Sequence, residues 1–453
     1  MKAWDYARGR QAEQLSELIE FLQIPSISAQ PRFKSRVEEA AEWLRSQLLA
    51  AGFPRAEIRP TPGHPVVYAE WLPASPAAPT VLVYGHYDVQ PPEPLDLWRT
   101  EPFEPTVVGE DLYGRGASDD KGQLFTHIKA VEAYHRTAGA PPVNIKCIFE
   151  GEEEIGSPNL DPFIHEHKEL LAADVAVISD SHILGKDRPA IVYGLRGLSY
   201  IEVEVVGPAR DLHSGSYGGA VRNPINALAE MIAGLHDPDG HITVPGFYDR
   251  VRPLTPDERA ELAKIPFDRQ AWLAGAGISR DWGEPEFTII ERTGARPTLD
   301  VNGIWGGYTG DGTKTVLPSK AFAKISMRLV PDQEPGEIAG LVQDHLGAIA
   351  PPTVAVQVRE MSRGNPAIVR RDSPAMQAAF GAYQEAFGQE PVFIREGGSI
   401  PVVATLQKEL GIETVLMGFG LPDDNLHAPN EKFHLPNFYR GIQTVIHFLG
   451  RLA

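Results

Sequence analysis

Residues 80–88 read TVLVYGHYD, and the fold class depends on how that stretch is read. Thr80, Val81, Val83 and Tyr84 are β-branched or aromatic, the side chains that suit a pleated, buried surface. The run then stops at Gly85, His86 and Asp88. A short apolar run bounded in this way reads as a buried strand whose C-terminal end opens into a polar loop. The pattern recurs in NIKCIFEGEEE (144–154) and in DVAVISD (174–180). Helical periodicity surrounds these runs. SRVEEAAEWLRSQLLAAG (35–52) closes on Gly52, and DDKGQLFTHIKAVEAYHRTAG (119–139) has acids in its first turn and Gly139 near its end. Strands alternating with helices make an open α/β sheet, in which ligands gather at the carboxyl ends of the strands. His86, the acids at 152–154 and Asp180 all sit at such ends, so one site is expected there.

Beyond Arg196 the texture changes. YIEVEVVG (200–207) alternates apolar and charged residues, as a strand with one solvated face does. NPINALAEMIAGLHD (223–237) reads as a helix, and KAFAKISMRLVP (320–331) and TVAVQVRE (353–360) read as further half-exposed strands with a helix between them. From His241 to about Gly312 the chain is Pro-rich and reads as irregular. The α/β style resumes with helix SPAMQAAFGAYQEAFG (373–388), strand ETVLMGFG (413–420) and the terminal helix NFYRGIQTVIHFLGRLA (437–453). A chain of 453 residues is long for one core. The expected arrangement is therefore an α/β domain of residues 1–195 and 366–453, with an α+β domain of residues 196–365 inserted into it.

Composition narrows the function classes. The formal charge of −18 argues against nucleic acid, whose phosphates need a clustered basic surface. No apolar run approaches the roughly 20 residues that span a bilayer, and the amphipathic N-terminus lacks the apolar core of a signal peptide. Cys147 is the one cysteine, so no intrachain disulfide can form, and within NIKCIFE it reads as a buried strand residue. These features suit a reducing, cytoplasmic setting.

Individually, the polar residues at the strand ends admit plain readings. His86 and Asp88 could stabilise a loop, although one could bind metal while the other orients it. Asp119 and Asp120 could cap a helix, but Gly114, Gly116 and Gly122 around them point to an unusual backbone. Glu152, Glu153 and Glu154 could be a solvated loop, or one could bind metal and leave another free as a base. Asp180 could end a turn, and His427 in NLHAPNEK could be an exposed loop residue. Together they offer two imidazoles and at least three carboxylates, a set that suits Zn²⁺, Mn²⁺ or Co²⁺. One shared carboxylate could hold two ions roughly 3.5 Å apart, the spacing used in metal-assisted hydrolysis.

In chain order, VYGHYDVQP (83–91), LYGRGASDDKG (112–122), EGEEEIGS (150–157), VISD (177–180), DLHSGSYGG (211–219), KTVLPSKAFAKISMRLVP (314–331), EGGSIP (396–401) and NLHAPNEK (425–432) resemble the M20 metallopeptidase family. The likeness is to its dipeptidase branch, the cytosolic nonspecific dipeptidases and carnosinases. The resemblance implies His86 and His427 as terminal ligands, one per ion, and Asp119 as the bridge, with a cis bond to Asp120. It implies Glu154 and Asp180 as the remaining ligands, Glu153 as general base and Asp88 as the partner of His86. His213 resembles a residue that reaches the opposite subunit's active site and helps hold the scissile carbonyl. Thr315, Arg328 and Ser399 match substrate-holding positions, Arg328 on the free carboxylate.

The fold so implied is a catalytic α/β domain with a central mixed sheet and an inserted α+β lid that dimerises. The activity implied is two-metal hydrolysis of dipeptides or short peptides with a free C-terminal carboxylate, using Zn²⁺, or else Mn²⁺ or Co²⁺. An N-acyl-amino-acid deacylase or a carboxypeptidase would need the same ligands. A binding protein that merely keeps a relic of the site is opposed by the presence of Glu153 beside a full ligand set. Ala428 stands after His427 where a polar residue is expected, which touches the surroundings of the ligand and not the ligand. No chemistry is assigned to 241–312.

Overall fold

A computed structural model describes residues 1–72, 77–398 and 400–453. The chain divides into two compact units, Met1–Tyr193 with Val369–Ile394 and Val402–Ala453, and Gly194–Ile368 with Arg395–Pro401.

The first unit is built on a mixed sheet. Its strands run in the order Arg55–Arg59, Val66–Trp71, Asn144–Glu150, Thr80–His86, Val175–Ile178, Glu413–Leu416 and Ala190–Leu195. The strands at 144–150, 80–86, 175–178 and 413–416 are mutually parallel, and antiparallel neighbours flank them. The parallel strands are buried on both faces, as apolar runs such as VLVY require. Register aligns their carboxyl ends. His86 lies opposite Glu150, and Tyr84 lies opposite Ile178. Two residues beyond that last pair stand His86 and Asp180, so three strands deliver polar residues to one edge.

Helix Lys121–Ala138 packs against the strand Thr80–His86 and is buried along most of its length. Its buried polar side chains are matched. Lys121 Nζ donates to Phe21 O (3.0 Å) and Ile24 O (2.7 Å), and Gln123 links Ser118 O (2.9 Å) with Phe419 N (2.7 Å). An unmatched polar group in such a place would cost about 1–3 kcal/mol. Gly139 closes the helix in the left-handed region, φ +81°. The N-terminus differs from the sequence reading. The helix begins at Lys121, and Asp120 stands at the cap position without a side-chain cap bond. The aspartates are therefore not first-turn residues, and their carboxylates point elsewhere.

The second unit carries a four-stranded antiparallel sheet in the order Thr298–Gly306, Lys320–Leu329, Gly197–Val206 and Ala355–Gly364. Strict alternation along 197–206 and 320–329 puts Ile201, Val203, Ala323, Ile325 and Met327 on one face. That face packs against helices Pro224–Ala233 and Pro335–Ile349. Burying a branched or long apolar side chain here contributes roughly 1.5–3 kcal/mol. The stretch 241–312 is not irregular. It holds helices Pro256–Leu262, Arg269–Gly275 and Ile289–Gly294 and the edge strand Thr298–Gly306. Thr255 with Glu258, and Thr288 with Glu291, form reciprocal capping boxes. The T-x-x-E signature of such boxes stands in the sequence at both places, hidden among the prolines.

Candidate metal centre

His86 ends its strand fully buried. Its Nε2 lies 3.0 Å from Asp119 Oδ1, and its Nδ1 faces Asp88, 3.2 Å from the backbone oxygen and 3.4 Å from Oδ1. Asp88 thus fixes which imidazole nitrogen is free to ligate. The same carboxylate accepts Glu153 N (3.2 Å) and Glu154 N (3.1 Å), so it also sets the loop that carries the glutamates.

Asp119 is the hub. It is joined to Asp120 by a cis peptide bond. Its Oδ1 faces His86, and its Oδ2 lies 3.0 Å from His427 Nε2. His427 Nε2 also stands 3.2 Å from Glu154 Oε2. On the other side, Asp180 Oδ2 lies 4.0 Å from His86 Nε2. Two donor groups result, His86–Asp119–Asp180 and Asp119–Glu154–His427, each with its ligand atoms within 4.8 Å of one another. A carboxylate with one oxygen in each group fits a bridge between two ions. The donor set, one imidazole and carboxylates per ion, fits a borderline divalent metal. Asp120 takes no place in either group; its Oδ2 accepts His86 N at 3.2 Å.

The three consecutive glutamates separate in role. Glu152 accepts His64 N (2.9 Å) and Asn159 Nδ2 (2.8 Å) and ties loops together. Glu154 is aimed at His427 and steadied by Gln90, whose N and Nε2 donate to its two oxygens at 3.1 and 2.8 Å. Gln90 carries no metal-ligating group and so gives no signal of this role in VYGHYDVQP (83–91). Glu153 belongs to neither donor group. Burial pushes its carboxyl well above the ordinary range, and the nearby Asp180, Glu154 and Asp119 push the same way. His427 sits on a strained turn, φ +59° between Asn425 at +55° and Asn430 at +65°. Such backbone persists where surrounding contacts impose it, commonly at ligand sites.

Charges in the cluster answer one another. Against the effect of burial, the bonds from His427 and His86 hold the Asp119 carboxyl below the usual range. The bonds to Asp119 and Glu154 push His427 up to about 11, and burial takes Asp180 up to about 7. Without metal His427 is therefore protonated at pH 7, and an ion must displace that proton to bind. Loading the stripped protein at pH 7 should release at least one proton, and affinity should fall as pH is lowered. Calorimetric titration in buffers of different ionisation enthalpy reads the number released; none released would remove His427 from the ligand set.

In the second unit, His213 and Thr315 come together on exposed backbone. His213 pairs with Val316, Ser214 N donates to Thr315 O (3.1 Å), and His213 Nδ1 accepts Gly215 N (3.1 Å). Arg328 is elsewhere, half-buried at the far end of its strand. It lines a cleft of about 460 Å³ with Arg196, Asp300, Ser326, His236 and Trp282. The stretch 241–312, to which no chemistry was assigned from sequence, supplies much of that lining. A third acidic cluster, His241–Glu284–Glu286, lies nearby, but both oxygens of Glu284 are held by Arg296 at 2.6 Å. Ser399 lies outside the described residues. No helix among the described residues is long and apolar enough to cross a membrane.

Comparison with known proteins agrees with this picture. The profile of peptidase family M20/M25/M40 matches residues 82–451. The Cys-Gly metallodipeptidase DUG1 of Candida albicans is 35% identical, covering 96% of this chain and 94% of its own. The human Beta-Ala-His dipeptidase is 35% identical over 100% of this chain and 92% of its own. A crystal structure of an M20 family metallo-carboxypeptidase, Sso-CP2 from Sulfolobus solfataricus, superposes with a TM-score of 0.86 at 35% identity, covering 97% of this chain and 99% of that one.

Proposed function

The chain belongs to peptidase family M20/M25/M40, in its dipeptidase branch, and on that footing we propose that it is a two-metal dipeptidase acting on dipeptides with a free C-terminal carboxylate. The observation that carries the reading is the pair of donor groups sharing Asp119, with the half-buried Glu153 beside them and in neither.

His86, Asp119 and Asp180 would hold one ion, and Asp119, Glu154 and His427 the other. Bound divalent ions, Zn²⁺ in the first place and Mn²⁺ or Co²⁺ otherwise, supply Lewis acidity that lowers the pKa of water and polarises the scissile carbonyl. Glu153 does the proton work. Its raised affinity for a proton suits it to take one from the attacking water and return it to the leaving amine. Asp88 keeps His86 turned correctly and fixes the backbone of Glu153. Arg328 would grip the substrate's carboxylate with two parallel bonds.

His213 and Arg328 of one chain are poorly placed to share a dipeptide. Lys320 and Arg328 lie eight residues apart on one strand, about 26 Å at roughly 3.3 Å per residue. The ribbon with His213 is a separate two-stranded sheet whose Val316–Leu317 strand precedes Lys320 in the chain, so it adjoins the Lys320 end of that strand and not the Arg328 end. That separation supports a homodimer in which His213 and Thr315 serve the partner's site and hold the carbonyl oxygen. A monomer in light scattering would remove this role. The single buried Cys147 and the lack of a second cysteine to pair with it suit a reducing, cytoplasmic setting.

The test is hydrolysis of a dipeptide panel by chelator-stripped enzyme with Zn²⁺, Mn²⁺ or Co²⁺ restored and the products identified. No turnover with any metal would sink the reading. The likeness to Sso-CP2 favours a carboxypeptidase as the second reading. Tripeptides and N-blocked dipeptides distinguish the two, since a dipeptidase leaves both largely intact. A carboxypeptidase would release the C-terminal amino acid from both, whereas an N-acyl-amino-acid deacylase would split an N-acylated single amino acid into the free amino acid and a carboxylic acid. Arg328→Ala should raise KM at least tenfold for dipeptides and leave C-terminally amidated ones nearly unchanged; equal effects on both would count against the carboxylate contact.

A further inference from the structure

Asp119 and His427 are 308 residues apart in the chain, yet their ligand atoms meet at 3.0 Å. That distance depends on how the loop 114–119 is fixed to the loop 424–431. One side chain provides most of the connection. Glu431 is fully buried, four residues after His427. Its Oε2 accepts Arg115 Nη1 (2.8 Å) and Gly116 N (2.9 Å), and its Oε1 accepts Ser118 N (3.0 Å) and Asp119 N (3.1 Å). Its backbone oxygen accepts Gly114 N at 3.0 Å. At the other end of the same segment, Asp424 Oδ2 accepts Ser118 Oγ (2.9 Å) and Leu421 N (2.7 Å). The loop so gripped turns at Gly116, φ +84°, where a Cβ would meet Val89 at 2.6 Å.

We propose that Glu431 is a positioning residue of the dinuclear site: its carboxylate clamps the backbone that presents the shared ligand Asp119 to the segment that presents His427. All four of its partners are donors, two on each oxygen, so the carboxylate has no lone pair left for a metal. It acts on the ions only through the two ligands whose spacing it sets. Residues that orient metal ligands in this indirect way typically change metal affinity or activity 10–100-fold when replaced.

The inference rests on Asp119 and His427 being ligands, and the experiment separates the two claims. Zn²⁺ is titrated calorimetrically into chelator-stripped wild type, Glu431→Gln and Glu431→Asp, with thermal unfolding followed with and without Zn²⁺. In Glu431→Gln either orientation of the amide sets its NH₂ against two donors, so at least two of the four bonds are lost. In Glu431→Asp the carboxyl group remains but falls one methylene short. Both variants should bind Zn²⁺ at least tenfold more weakly in one of two sites, and their Zn²⁺-induced rise in Tm should shrink accordingly. A purely structural role lowers the Tm of the stripped protein and leaves the Zn²⁺-induced rise unchanged; that result, or wild-type Zn²⁺ affinity in a folded variant, overturns the proposal. Failure of both variants to fold overturns it too, by assigning Glu431 to folding. A wild type that binds fewer than two ions would instead refute the ligand assignment and leave the clamp without an object.

Discussion

Glu153→Gln should bind two metal ions with wild-type affinity and lose roughly 10²–10⁴-fold in kcat, the range that general acid–base groups contribute. The two halves of that result have separate causes. Metal binding survives because Glu153 stands in neither donor group, and its backbone is held by Asp88 whatever its side chain. Turnover falls because glutamine keeps the shape of the side chain but cannot take a proton from water or return one to the amine. Burial, reinforced by the neighbouring carboxylates, gives Glu153 a strong hold on a proton, and that hold is lost with the carboxylate. Elemental analysis of the purified variant and a saturating dipeptide assay read the two halves. Wild-type kcat would remove Glu153 as the base, whereas loss of one ion would make it a ligand.

The second large effect belongs to Asp119. In Asp119→Asn the side chain keeps one oxygen and loses its charge, so it cannot serve both donor groups. The expected result is a fall from two bound ions to one at most. The Lewis-acid contribution of a two-metal site is several kcal/mol, so kcat/KM should fall about 10³-fold or more at roughly 1.4 kcal/mol per factor of ten. Asp120→Asn is the control. Asp120 touches only His86 N among the groups discussed, and its replacement should cost about tenfold or less. Retention of two ions in Asp119→Asn would show that the bridge lies elsewhere, since among the described residues no other carboxylate faces both His86 and His427 at 3.0 Å.

Much of the site is legible in the sequence because parallel strands end together. Once 80–88, 144–154 and 174–180 are read as buried strands, His86, the glutamates and Asp180 must arrive at one edge. Where sequence and structure differ, the cause is local. At 241–312 the prolines suggest irregular chain, but two capping boxes, TPDE at 255–258 and TIIE at 288–291, start helices there. At Asp119 and Asp120 the pattern suggests a first helical turn, but the helix starts only at Lys121, leaving Asp119 to face the His86 imidazole and Asp120 to accept the His86 backbone N–H.

The sequence by itself determined the chemistry on offer. Strand patterning, a polar residue at each strand end and the order of the motifs are short-range properties, written in consecutive residues, and they specify an α/β sheet with imidazoles and carboxylates at its edge. Only the tertiary structure decided how those groups are shared out. It shows that Glu152 ties loops, Glu154 turns to His427 and Glu153 stands apart from both donor groups. It shows that Asp119 divides its two oxygens between histidines from distant parts of the chain. It shows that Glu431, unremarkable in NLHAPNEK, grips the loop that carries Asp119. The physical reason is the same in each case. Three adjacent glutamates have the same chemistry, and they are separated by the direction of each side chain and the donors it meets. Those are set by register and by loop contacts across hundreds of residues, which no local pattern encodes.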